Sequence, residues 1–175
     1  MIKKIKAKND ILKIERDEYF KLRDKIVSKL SNHPQIKSIY QMGGLTQPGI
    51  SDLDIIIITK SNSNCKILDL SKNFLCDSEV ENYILMHSPF IIPEKIFPEI
   101  NSIFYCSDLF LLYGEELPLA KTDDNDRKLS EIYKLISVLV HTLPRFFFFE
   151  KNVSFRSFLT FSYSLKHSYK ILQQY

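Results

Sequence analysis

Only three cysteines occur in 175 residues, Cys65, Cys76 and Cys106, and no two stand in C-x-x-C spacing. That excludes a disulfide framework and a zinc signature, and suits buried thiols in a reducing compartment. No uninterrupted apolar leader is present either: "MIKKIKAK" is broken by Lys3, Lys4, Lys6 and Lys8, so it reads as a solvated end and export is not expected. The most apolar stretch, Leu135 to Phe149, carries His141, Pro144 and Arg145. It falls short of a membrane span and reads as a buried helix, so a cytoplasmic location is expected. A formal charge of +3 lacks the clustered basic excess of a nucleic-acid surface, which leaves nucleic acid possible but not indicated. Neither a G-x-x-x-x-G-K-[ST] phosphate loop nor an internal repeat exists.

What is there is ordinary globular material, 45% hydrophobic and 26% charged, enough for one domain with a modest helical extension. Apolar residues at three- and four-residue steps predict a helix from Asn9 to about Leu30, with Asn9 or Asp10 as its cap. Pro34 ends it, and "IKSIYQMGG" reads as a short strand running into a glycine turn. Four consecutive isoleucines within Leu53 to Thr59 predict a central strand buried on both faces. "KILDLSKNFLC" reads as a short helix, "ENYILMHSPFIIP" as another strand ending near Pro89, and "SIFYCSDLFLLYGEEL" as mixed strand and turn closed by Gly114. Beyond the polar "KTDDNDRK", helices are expected over Leu129 to Leu143 and Val153 to Leu172. The fold class expected is α/β (α+β), a small mixed sheet flanked by helices over residues 1–118, followed by a helical region over 119–175. The pattern stops at Tyr175 without a closing signal, so that region reads as incomplete.

The chemistry gathers in "GGLTQPGISDLDIIIIT". D-x-D by itself is weak, since eleven aspartates give about 0.7 chance occurrences, and Asp124 and Asp126 form a second pair inside a solvated turn. Setting discriminates. Asp52 and Asp54 alternate onto one face at the mouth of a greasy strand, where repulsion and desolvation make two bare carboxylates costly. A divalent cation resolves the conflict, and Mg²⁺ takes one or two carboxylates together with phosphates and water. Gly43 and Gly44 let backbone amides approach a phosphate, with hydroxyls at Thr46 and Ser51 nearby. In glycosyltransferases and haloacid-dehalogenase-type phosphatases the apolar strand precedes the D-x-D; here it follows.

Helix, strand, "GG", a short turn, "SDLD" and an aliphatic strand resemble the core of the nucleotidyltransferases of the DNA polymerase beta superfamily, including small antibiotic and protein nucleotidyltransferases. "LLYGEEL", Leu111 to Leu117, is similar to an L-Y-G element that follows the core. The resemblance covers roughly residues 10 to 117. It implies Mg²⁺-dependent transfer of a nucleoside monophosphate from a nucleoside triphosphate to a hydroxyl acceptor, with two ions if the chain is active. Asp52 and Asp54 are then the metal ligands and catalytic acids, with Gly43, Gly44 and Ser51 at the nucleotide. The third carboxylate of the family is not inside an apolar strand here; Glu81 is the first candidate and Asp108 the second. That departure carries an alternative, a catalytically degenerate member that binds nucleotide or a protein partner. His87, with no partner legible in sequence, reads as a hydrogen-bonded core or edge residue, and His33 and His167 as exposed. The acceptor is open among a small molecule, a protein hydroxyl and an RNA end, and "RFFFFE" offers Phe146 to Phe149 as a homodimer contact or acceptor pocket.

Overall fold

A computed structural model of the chain describes residues 6–8, 10–60, 70, 72–100, 108–121, 123–137, 139–140 and 152–173. The expectations for Cys65, Cys106, His141, Phe146 to Phe149 and the side chain of His167 lie outside the described residues. Two compact units form, one of residues 13–101 with 106–120, the other of residues 1–12, 102–105 and 121–175.

The first unit carries helix α1 (Arg16–Leu30), strands β2 (Ile36–Met42) and β3 (Asp54–Thr59), short helices α2 (Lys72–Leu75) and α3 (Glu79–Ile84), strand β4 (Phe90–Pro93), a 3₁₀ turn (Phe97–Glu99) and strand β5 (Leu109–Gly114). Its four strands make one mixed sheet in the order β4-β3-β2-β5. β2 runs antiparallel to both β3 and β5, whereas β3 and β4 are parallel. The isoleucine run behaves as its composition dictates: Ile55 and Ile57 enter one cluster with Tyr19, Leu22 and Ile26 of α1, while Ile56 and Ile58 enter another with Tyr40 and Phe97. All four are at most 1% exposed, so alternation feeds two cores at once. The fold is thus α/β with a small mixed sheet, consistent with a nucleotidyltransferase core.

Gly114 explains why the L-Y-G element ends in glycine. Its φ is +88°, and a Cβ there would lie 2.1 Å from the carbonyl oxygen of Lys37 on the neighbouring strand segment. No other residue fits.

Three expectations are corrected. α1 begins at Arg16 and not at Asn9; Glu15 is extended and makes no side-chain cap. Asp10 caps elsewhere, its carboxylate accepting from the Arg156 amide at 3.2 Å. The second concerns the apolar run after Glu81, which is not a strand up to Pro89. Ser78 Oγ accepts from the Glu81 amide at 3.1 Å and starts α3, and the strand is displaced to Phe90–Pro93. The S-x-x-E spacing that opens a helix is present in "SEVE". The third is His33, expected to be exposed: it is half-buried, its Nδ1 accepting from the Gln35 amide at 3.3 Å.

The second unit contains strand β1 (Lys6–Lys8) paired in parallel with β6 (Asn152–Ser154), and helices α4 (Asp124–Ser137) and α5 (Phe155–Leu172), which pack on each other. Ser154 Oγ accepts from the Ser157 amide at 3.1 Å, a further N-terminal cap for α5 beside that of Asp10. Among the described residues no helix is long and apolar enough to cross a membrane.

Candidate functional site

One end of the sheet collects the chemistry because of strand direction. β2 finishes there at Met42, which pairs with Asp54 at the start of β3 and with Leu109 at the start of β5. β4, parallel to β3, also starts there, with Phe90 opposite Ile56. His87 therefore arrives from the segment before β4, next to Asp52 and Asp54 from the segment entering β3. One donor atom from each of Asp52, Asp54 and His87 lies within 4.8 Å of the others, and all three side chains are half-buried.

His87 Nε2 is 2.7 Å from Asp54 Oδ1, and Nδ1 is 2.9 Å from the carbonyl oxygen of Ser88. Both neighbours only accept hydrogen bonds, so both contacts are satisfied together when each ring nitrogen carries a proton. The bond to Asp54 raises the His87 pKa to about 9; burial opposes it, and the Ser88 carbonyl and the charge of Asp52 add to it. The ring also tilts against Phe90, with centroids 4.8 Å apart. An imidazolium thus answers part of the carboxylate repulsion that the sequence reading assigned wholly to a metal.

The turn before the acids is built from the opposite core. Tyr19, fully buried in α1, donates its hydroxyl proton to the Ser51 carbonyl at 2.8 Å and accepts from the Gly49 amide at 3.0 Å. Tyr83 of α3 donates to the Gly49 carbonyl at 2.6 Å, and Arg16 Nη2 donates to the Leu45 carbonyl at 2.7 Å. Gly49 sits at φ +84°, a conformation open to glycine. These four residues hold the loop that delivers Asp52, and none of them stood out in the sequence.

The predicted nucleotide residues take distinct places. Gly43 has φ +73° with no atom within 4 Å of where a Cβ would stand, and its amide donates to the Asp108 carbonyl at 2.8 Å. A Cβ on Gly44 would meet only Thr46 Cγ2, at 3.7 Å. Ser51 Oγ accepts from the Gln47 amide at 3.1 Å and closes the turn. Glu81 is not brought to the two acids. Both its oxygens lie 2.6 Å from Lys25 Nζ, which Asp77 also meets at 2.7 Å. Burial raises the Glu81 pKa, but Lys25 and the Asp77 amide outweigh it and hold the group below its usual range. Asp108 lies exposed at the same sheet end as Gly43.

Two carboxylates and an imidazole this close make a donor set that fits a divalent cation. Which cation is a separate matter. The sheet, the acids at the mouth of its second strand and the glycine turn beside them agree with the nucleotidyltransferase core that the sequence resembles.

No protein-family model matches the chain, and no curated protein does. Solved structures similar to it include a candidate nucleotidyltransferase from Sulfolobus solfataricus, at 18% identity, covering 61% of this chain and 89% of that one with a TM-score of 0.33. Another is a mutant form of the toxin-antitoxin pair MntA-HpeT, at 14% identity, covering 75% of this chain and 95% of that one with a TM-score of 0.31. Superpositions this loose carry no functional weight, which falls on the side chains.

Proposed function

We propose that the chain is a nucleotidyltransferase that moves a nucleoside monophosphate from a nucleoside triphosphate to a hydroxyl acceptor on a small molecule or protein. The observation that carries the reading is the meeting of Asp52, Asp54 and His87 at the sheet end that also holds the Gly43 turn. In the reaction the acceptor oxygen attacks the α-phosphorus, the bond from that phosphorus to the α–β bridging oxygen breaks, and pyrophosphate leaves. A divalent cation, Mg²⁺ on the family resemblance, supplies charge neutralisation at the phosphates and a lowered acceptor pKa. Asp52 and Asp54 hold it, and Gly43 and Gly44 leave room for the triphosphate. The acceptor's proton passes to Asp54 or to solvent. Tyr19 and Tyr83 fix the loop so that Asp52 is preorganised.

A second reading is favoured by the capture of Glu81 by Lys25 and by the approach of His87 to Asp54. In it the chain is a degenerate member that binds nucleotide or a protein without turnover. Calorimetry with ATP, CTP, GTP and UTP, with and without Mg²⁺, followed by Asp54→Asn and a pyrophosphate assay, separates them. Cation-dependent binding with pyrophosphate release supports the enzyme; binding that survives Asp54→Asn without release supports the module. Absence of any nucleotide binding sinks the enzyme and the nucleotide-binding form of the second reading, and leaves only a protein-binding module.

A further inference from the structure

We infer that His87 is the third ligand of the cation held by Asp52 and Asp54, and that the site therefore selects a first-row transition ion such as Mn²⁺ over Mg²⁺. The inference rests on the reading that the two acids hold a cation, and goes beyond it in assigning the third donor and the metal class.

Three observations lead there. First, the donor atoms of all three residues already lie within 4.8 Å of one another, so a small closure brings them around one ion. Second, His87 is oriented as metal-binding histidines are. Its Nδ1 donates to the backbone carbonyl of Ser88 at 2.9 Å, which fixes the ring with Nε2 at the acids, and the cation displaces the Nε2 proton to solvent as it takes that nitrogen. Third, among the described residues neither oxygen donor considered for that position joins the group: Glu81 is held by Lys25, and Asp108 is not among the residues whose donor atoms lie within 4.8 Å of one another.

The parallel pairing of β3 with β4 produces this arrangement. It sets Phe90 opposite Ile56 and so brings the segment just ahead of β4 alongside the one entering β3. Chemistry then decides the ion. Mg²⁺ is hard, takes oxygen and gives up water reluctantly, whereas an imidazole nitrogen is a good ligand for Zn²⁺ and its first-row neighbours. A set of two carboxylates and one imidazole shifts preference along the transition series, away from Mg²⁺. A third carboxylate would not.

The test uses the full chain and bare ions. Mn²⁺ and Mg²⁺ are titrated calorimetrically, and bound Mn²⁺ is examined by electron spin echo for coupling to a directly ligated ¹⁴N. The expected result is Mn²⁺ binding tighter than Mg²⁺ by about tenfold or more, with nitrogen coupling. His87→Ala removes both the coupling and the preference, while His87→Asp brings the two ions to within about threefold. Mn²⁺ bound without nitrogen coupling, or binding that Asp54→Asn abolishes and His87→Ala leaves intact, overturns the inference and makes His87 a counter-ion while the two-acid reading stands. No binding of either ion, with or without ATP, overturns that reading too. The nitrogen signal is read on the unmodified chain, so it decides the matter even where a variant folds poorly.

Discussion

The hydroxyl of Tyr19 lies between two backbone groups of the loop that carries the acids, donating to the Ser51 carbonyl and accepting from the Gly49 amide. A core aromatic thereby sets the position of Asp52, one residue beyond Ser51. Tyr19→Phe keeps the buried ring and removes the hydroxyl from both backbone groups. The expected cost is about 1–3 kcal/mol, the range for removing one partner of a buried hydrogen bond. It should show in urea as a lower midpoint with an unchanged slope. Amide exchange should rise at Gly49. A variant as stable as the parent, with Gly49 equally protected, would mean the loop holds itself.

Glycines 43, 44 and 114 should separate by cost. Gly114→Ala meets the Lys37 carbonyl and adopts a positive φ, so destabilisation beyond about 3 kcal/mol and loss of β5 pairing are expected. Gly43→Ala has open space and carries only the left-handed penalty, about 1–2 kcal/mol. Gly44→Ala has neither burden and should stay within about 0.5 kcal/mol. Thermal or urea unfolding ranks them. Nucleotide affinity lost in the stable Gly44→Ala protein would then report close approach of a phosphate, while full retention would move the triphosphate away from this turn.

Stability should also fall at alkaline pH through His87. Its pKa is raised in the folded chain from 6.5 to about 9. The folded state therefore binds the proton more tightly than the unfolded state, and the contribution is complete below 6.5. It declines as pH climbs and is gone above about 9. The side chain is 41% exposed, so solvent screens the effect. Asp54→Asn should flatten this alkaline slope in urea midpoints taken across the window. An equal slope in parent and variant would place the titration elsewhere.

How much of this was legible beforehand follows from the range of each interaction. Four isoleucines in a row force a strand buried on both faces, and two acids at its mouth must be explained, so β3 and its carboxylates were readable locally. α3 falls to a known ambiguity: short apolar runs look alike in helix and strand, and the hydrophobic residues after Glu81 read as a strand although Ser78 and Glu81 carry helix-start spacing. His87 lay beyond reach for a deeper reason. It meets Asp54 only because β3 and β4 pair in parallel across 33 residues, and no local pattern encodes that register. Tyr19 reaches Gly49 across 30 residues in the same fashion.

Glu81 is where the third acid was sought, and its surroundings argue for a brace between helices. Lys25 on α1 meets both Glu81 oxygens, and Asp77 joins the same ammonium. The Glu81 and Lys25 side chains are only 22% and 25% exposed, so the pair is better shielded than a typical surface bridge. Glu81→Gln should cost about 1 kcal/mol. Because the folded-state pKa is depressed, that contribution exists above 4.5 and fades as pH falls, which steepens acid unfolding in the parent relative to the variant. Cation affinity should not change, since Asp52, Asp54 and His87 are untouched. Pyrophosphate release should stay within about twofold of the parent, far from the hundredfold or greater loss typical of a removed general base. A collapse of turnover with stability intact would instead make Glu81 a working acid that leaves Lys25 when nucleotide binds.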